Sequence, residues 1–163
     1  MKMSKAKHID NEYNISEAYR YLANAKETLG KSQIEYERYI DPKYVREAAG
    51  MAYLAALKAL DTYFISIGLD RKILPKSIDG YWNLIRKKIP LNGKLTASVS
   101  TIYENLHIDA YYRGHTNVDL VKAGFENARK VIEMISKLMD KTSARNIVCE
   151  PETIYKKRKK TPA

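Results

Sequence analysis

Seven consecutive residues, Tyr111-Tyr112-Arg113-Gly114-His115-Thr116-Asn117, form the densest group of polar and ionisable side chains in the 163-residue chain. Arg113 supplies a permanent cation, and His115 an imidazole able to hold or move a proton near neutral pH. Asn117 stands where a helix should begin. The free N–H groups and positive dipole end of that helix could join Arg113 and His115 around a phosphate or carboxylate, making Arg113, His115 and Asn117 a candidate anion site. The simpler reading is a tight helix–helix turn. In it Gly114 takes positive φ, Asn117 caps the next helix and the tyrosines cover the end of a bundle.

Other chemistry is sparse. The three histidines, His8, His107 and His115, form no His-x-x-x-His or Glu-x-x-His pair that would put two ligands on one helical face, so no metal is expected. No cofactor is expected either, because glycine-rich phosphate loops and Ser/His/Asp arrangements are missing. His107 lies beside an apolar stripe and reads as a partly buried histidine bonded to a neighbour such as Asp61 or to a backbone carbonyl. Asp61, inside an apolar helix, reads as a partner for a polar group on an adjacent helix. Cys149 is the single cysteine, which rules out an internal disulfide and a thiolate cluster. Thirteen tyrosines against two phenylalanines suit half-buried bundle edges and interfaces. Tyr19, Tyr36, Tyr39, Tyr44, Tyr53, Tyr63, Tyr111 and Tyr112 are the candidates for such a surface, with base stacking as the alternative.

The elements that position these residues read as helices throughout. Asn14 and Glu17 have the spacing of a capping box, and Ile15, Ala18, Leu22, Ala25 and Leu29 follow at 3-4 spacing. The pattern predicts helix to Leu29 and leaves 30–40 open. Asp41-Pro42 starts a second helix that Gly68 should end in the left-handed region. Its middle, Ala48 to Leu60, is small or apolar nearly all round and should be the buried centre of a bundle. A shorter helix from Ser77 to Ile89 carries Trp82. A fourth helix is expected from Leu95 to Arg113, with Leu95, Val99, Ile102, Leu106 and Ala110 on one face. The fifth repeats Val118, Val121, Phe125, Ala128, Ile132, Ile135 and Met139 and should end near Asp140. The expected fold is all-α: an up-and-down bundle of four long helices and one short one.

The domain reading is a flexible N-terminus over 1–13, a bundle over 14–140 and a basic, disordered tail over 141–163. Charge supports the division. Of the net charge of +10, the last 23 residues hold +5 and the first 13 hold +1, leaving +4 on the body. Lys156, Lys157, Arg158, Lys159 and Lys160 are consecutive, and such a block repels itself and stays solvated. It is able to bind nucleic acid without base specificity, through release of counterions. No window holds about 18 uninterrupted apolar residues, so no membrane contact is expected. The N-terminus is basic but lacks the apolar stretch of a signal peptide, and the cytoplasm is the expected location.

Two stretches carry a family resemblance: Lys43-Tyr-Val-Arg-Glu-Ala-Ala-Gly-Met-Ala-Tyr-Leu-Ala-Ala-Leu-Lys-Ala-Leu-Asp61 and Tyr103-Glu-Asn-Leu-His-Ile-Asp-Ala-Tyr-Tyr-Arg-Gly-His-Thr-Asn-Val-Asp-Leu-Val-Lys-Ala-Gly-Phe125. Together they resemble a small bacterial family known as a domain of unknown function, itself similar to the HEPN (higher eukaryotes and prokaryotes nucleotide-binding) helical bundles. The resemblance implies a HEPN-like bundle over the body of the chain. Ribonucleases of that group place an Arg and a His four to six residues apart before the last helix, where the cation steadies phosphate and imidazole handles a proton. Here one residue separates Arg113 from His115, and His107 precedes Arg113 in the reverse order, so neither is carried over as catalytic. The resulting expectation is a non-catalytic binding module that forms a homodimer through an apolar, tyrosine-containing face. The alternatives are a HEPN-type, toxin-like ribonuclease using Arg113 and His115, and an antitoxin-like partner protein without nucleic-acid contact.

Overall fold

The computed structural model describes residues 12–148. Within them the regular structure is helical apart from one small hairpin. Helix α1 spans Ile15–Leu29, α2 Pro42–Ser66, α3 Ile78–Lys88, α4 Gly93–Ile102 and α5 Val118–Val148. Strands β1, Ile34–Glu35, and β2, Arg38–Tyr39, pair antiparallel between α1 and α2, with Glu35 opposite Arg38. The chain is therefore mostly helical, as its composition and periodicity predict.

The predicted caps are present with one change. Asn14 accepts from the Ser16 N–H, Asp41 from the Lys43 N–H, and Ser77 from the Gly80 N–H. Glu17 does not close the expected capping box. It forms an ion pair with Arg20, 2.7 Å away, because a charged partner one turn on outcompetes a neutral backbone donor. Gly68 follows the last turn of α2 at φ +99°, the left-handed stop expected there.

Residues 30–40, unassigned from sequence, form the hairpin. Its two-residue turn, Tyr36-Glu37, has positive φ at both positions, the twist-matched geometry for joining two antiparallel strands. Neither residue is glycine, which is why no turn signal is legible. The hairpin is held from outside: the Tyr39 N–H donates to the Thr116 carbonyl at 2.9 Å, and the Val118 N–H to the Glu37 carbonyl at 3.0 Å. These bonds place the α1–α2 turn and the turn before α5 at the same end of the molecule. The long rods therefore alternate in direction, as in an up-and-down bundle.

The fourth rod departs from the expectation of one α-helix. From Tyr103 to Tyr112 it is a π-helix, closed by the Arg113 N–H donating to the Ile108 carbonyl five residues back. Burial follows the change in winding. The inward positions run Leu95, Ser98, Val99, Ile102 in α4 and then shift to uniform fours at Ile102, Leu106, Ala110. Gly124 of α5 adjoins this segment, where a Cβ would run into the Leu106 side chain. Helix α5 extends past Asp140 to Val148, so the first eight residues of the predicted tail are helical. No Pro or Gly interrupts 141–148, and a solvated helix can continue without an apolar stripe. The cations at 156–160 and Cys149 lie outside the described residues.

The core is one cluster centred on α2, with Val45, Leu60, Phe64, Ile85, Ile102, Leu106, Val121, Val131, Ile132 and Ile135 among its fully buried members. Helix α2 is not buried on all sides, however. Leu54 is 51% exposed, and Met51, Tyr53 and Leu57 are only partly covered.

Candidate functional site

The uncovered side of α2 forms one wall of a groove of about 670 Å³, lined by Tyr21, Arg46, Glu47, Gly50, Met51, Tyr53, Leu54, His107 and Tyr111. The π-helix forms the other wall. Its four-residue spacing aligns Tyr103, His107 and Tyr111 on one side, with His107 5.5 Å from Tyr103 and 6.0 Å from Tyr111 between ring centroids. Tyr53 of α2 stacks on His107 at 4.6 Å, and Trp82 of α3 meets Tyr103 edge-on at 5.9 Å. Five rings from three helices thus form a continuous ladder. Offset-stacked and edge-to-face pairs of this kind add about 0.5–1.5 kcal/mol each beyond area burial. Burial pushes the Tyr53 hydroxyl up to about 12, with nearby Tyr103 adding to it, so Tyr53 stays neutral across the physiological range.

The groove depends on two glycines and one arginine. A Cβ on Gly50 would come within 3.3 Å of the Tyr111 ring, so glycine lets that ring lie against α2. The Arg46 Nη1 donates to the carbonyls of Tyr111 and Tyr112, at 3.1 and 3.4 Å, satisfying the end of the π-helix. Gly114, at φ +76°, leaves the space that the Arg46 guanidinium occupies. Its positive φ agrees with the turn reading of the heptapeptide.

Arg113 and His115 meet at a common acid on this turn. The Asp109 carboxylate is 3.5 Å from the Arg113 guanidinium and 3.8 Å from His115 Nδ1. Asn117 serves as the α5 cap, its Oδ1 accepting from the Leu120 N–H at 2.9 Å. The Val118 N–H is bonded to Glu37, and Asp119 adds a carboxylate to the first turn. An incoming anion would meet the Asp109 and Asp119 carboxylates along with Arg113, so the local field favours the turn over the anion site.

His107 is partly buried, as expected, but it is held by stacking rather than by Asp61. The Asp61 carboxylate instead accepts from the Tyr81 hydroxyl of α3 at 2.9 Å. Burial raises its pKa to about 6, opposed by the Tyr81 hydrogen bond and the Lys58 charge. Lys58 lies over the Tyr13 and Tyr21 rings and 3.9 Å from Glu12, which ties the entrance of α1 to α2. Of the tyrosines expected at a surface, Tyr39 and Tyr63 are buried, Tyr53 is half-buried, and Tyr19, Tyr36, Tyr111 and Tyr112 are exposed. The contributions of Arg46, Glu47 and Gly50 were not legible in sequence. The Tyr103–His107–Tyr111 spacing was the available signal.

Among the described residues, no three His, Cys, Asp or Glu side chains are grouped to hold a metal ion. No helix there is long and apolar enough to cross a membrane.

No curated protein matches the chain. A solved structure of a protein of unknown function from Dyadobacter fermentans is 35% identical, with a TM-score of 0.66, over 76% of this chain and 94% of that one. Residues 13–137, which include the groove and the Arg113–His115 turn, match the family described as Domain of unknown function (DUF5618), and the chain belongs to that family.

Proposed function

We propose that the chain is a non-catalytic, HEPN-like helical binding module that pairs with a second copy of itself through the open face of α2. The observation that carries this reading is the exposure of Leu54, beside Met51 and Leu57, on a helix whose sequence is apolar nearly all round. A helix of that composition belongs in an interior, and a second copy would complete one. Full burial of a leucine or methionine is worth about 1.5–3 kcal/mol, and the stacked tyrosines add rigid contact area around them. Tyr21 and Tyr111 flank the apolar strip, while Arg46 and Glu47 give it a polar rim.

Light scattering at micromolar concentration tests the reading. The intact chain is expected at twice its formula mass and Leu54→Glu at the monomer mass, with thermal stability of the substituted monomer retained. A monomeric intact chain would reject self-pairing. Capture of a different protein by this face, lost in Leu54→Glu, would then favour the antitoxin-like alternative. The ribonuclease alternative is tested by incubation with total RNA: cleavage by the intact chain, abolished in Arg113→Ala and His115→Ala, would overturn the non-catalytic reading.

A further inference from the structure

A second concavity lies between α4 and α5, away from the aromatic groove. It has a volume of about 410 Å³ and is lined by Lys94, Ala97 and Ser98 of α4 and by Lys130, Glu133, Met134 and Lys137 of α5. The α5 residues fall at i, i+3, i+4 and i+7, which puts them on one helical face. Glu133 is engaged by Arg129, which also pairs with Glu126. The three lysines form no ion pair among the described residues, so the local field is positive.

Ser98 distinguishes this place from an ordinary solvated lysine patch. It is 7% exposed as a residue, and its hydroxyl, which makes no hydrogen bond among the described residues, is open to the concavity's solvent rather than sealed in the core. The hydroxyls of Thr62, Thr101 and Thr142 each donate to the carbonyl four residues back, the usual outlet for a helical hydroxyl. That of Ser98 does not. The N–H groups at the nearby start of α4 also have no side-chain cap: Asn92 donates to the carbonyls of Ile85 and Ile89, and its Oδ1 accepts only from the Thr96 hydroxyl, at 3.5 Å. The space where a Cβ on Gly93 would stand is open. An unpartnered hydroxyl, uncapped N–H groups at a positive dipole end and three cations all favour a compact anion.

We propose that this concavity binds the phosphate group of a small phosphorylated molecule. Lys94, Lys130 and Lys137 supply the charge, the Ser98 hydroxyl donates one directed hydrogen bond to a phosphate oxygen, and Met134 and Ala97 contact the carbon part of the ligand. Lysine suits this role as a compact point charge. The volume is within the range of about 300–1,000 Å³ typical of small-molecule sites.

Titration of the full chain with inorganic phosphate and with phenyl phosphate, followed by amide NMR at low salt, tests the assignment. Saturable shifts are expected at Lys94–Ser98 and Lys130–Lys137, with phenyl phosphate the tighter ligand. The double substitution Lys130→Gln and Lys137→Gln should weaken binding by about tenfold or more, and Ser98→Ala by about threefold to tenfold, with unchanged thermal midpoints. No saturable shift at these residues up to millimolar phenyl phosphate would overturn the proposal, as would equal affinity in the double variant. Binding of single-stranded RNA at this face without binding of either small phosphate would overturn it as well.

Discussion

Asp61 is the residue whose environment most clearly departs from its local sequence. It is an acid in a helix of alanine and leucine, and α3 brings the Tyr81 hydroxyl to it. With a folded pKa of about 6 against an ordinary value of 3.8, the folded chain keeps a proton between those pH values that the unfolded chain has released. Asp61 therefore favours the folded state most below pH 4, and that contribution is lost as pH rises to about 6. Asp61→Asn keeps an acceptor for Tyr81 and removes the titration. The substituted chain should be more stable at pH 7 by about 1 kcal/mol after solvent screening, with no advantage below pH 4. Chemical denaturation across that range checks both, and a pH-independent difference would remove Asp61 as the source.

At the scale of elements, the π-helix decides where the aromatic side chains go. Its uniform four-residue spacing aligns Tyr103, His107 and Tyr111, and Gly124 allows α5 to close against Leu106 behind them. Gly124→Ala gains helix propensity of about 1 kcal/mol but places a methyl group inside the Leu106 side chain. Overpacking of this kind costs about 1–3 kcal/mol, so a net loss of stability is expected. Leu106→Ala should lower stability by about 2–5 kcal/mol. The double variant should be less destabilised than the sum of the two, and additivity in a double-mutant cycle would show that the contact is not felt. The helices, the N-caps Asn14, Asp41, Ser77 and Asn117 and most inward positions were legible from capping residues and periodicity. The π-winding was not, because widening from 3-4 to uniform-four spacing over two turns is a weak signal. The hairpin was also hidden, since Tyr36 and Glu37 adopt positive φ without glycine.

For the whole molecule, the distribution of charge separates two modes of anion contact. The body has a net +4, yet three of its lysines converge between α4 and α5, while five cations are consecutive at 156–160. The consecutive cations are expected to bind mixed RNA with a steep salt dependence. Because α5 continues to Val148, the informative truncation removes 149–163 and leaves the helix whole. Loss of RNA binding in that truncated chain is the expected result in a gel-shift titration. Undiminished binding would assign the contact to the body.

The sequence by itself determined the helical class, the starts of α1, α2 and α3, the left-handed stop at Gly68 and the inward face of α5. All of these are set within a few residues by propensity, capping and 3.6-residue periodicity. Tertiary structure alone decided that Arg46 satisfies the end of the π-helix, that Tyr53 stacks on His107, that Asp109 takes both Arg113 and His115, and that one side of α2 stays open. Each of those outcomes except the Asp109 contacts joins residues more than 50 positions apart or depends on what packs against a helix. The Asp109 contacts follow from the winding of the π-helix and the positive φ of Gly114. Apart from the i, i+4 pair of Asp109 and Arg113, none is set by the local periodicity that made the helices readable.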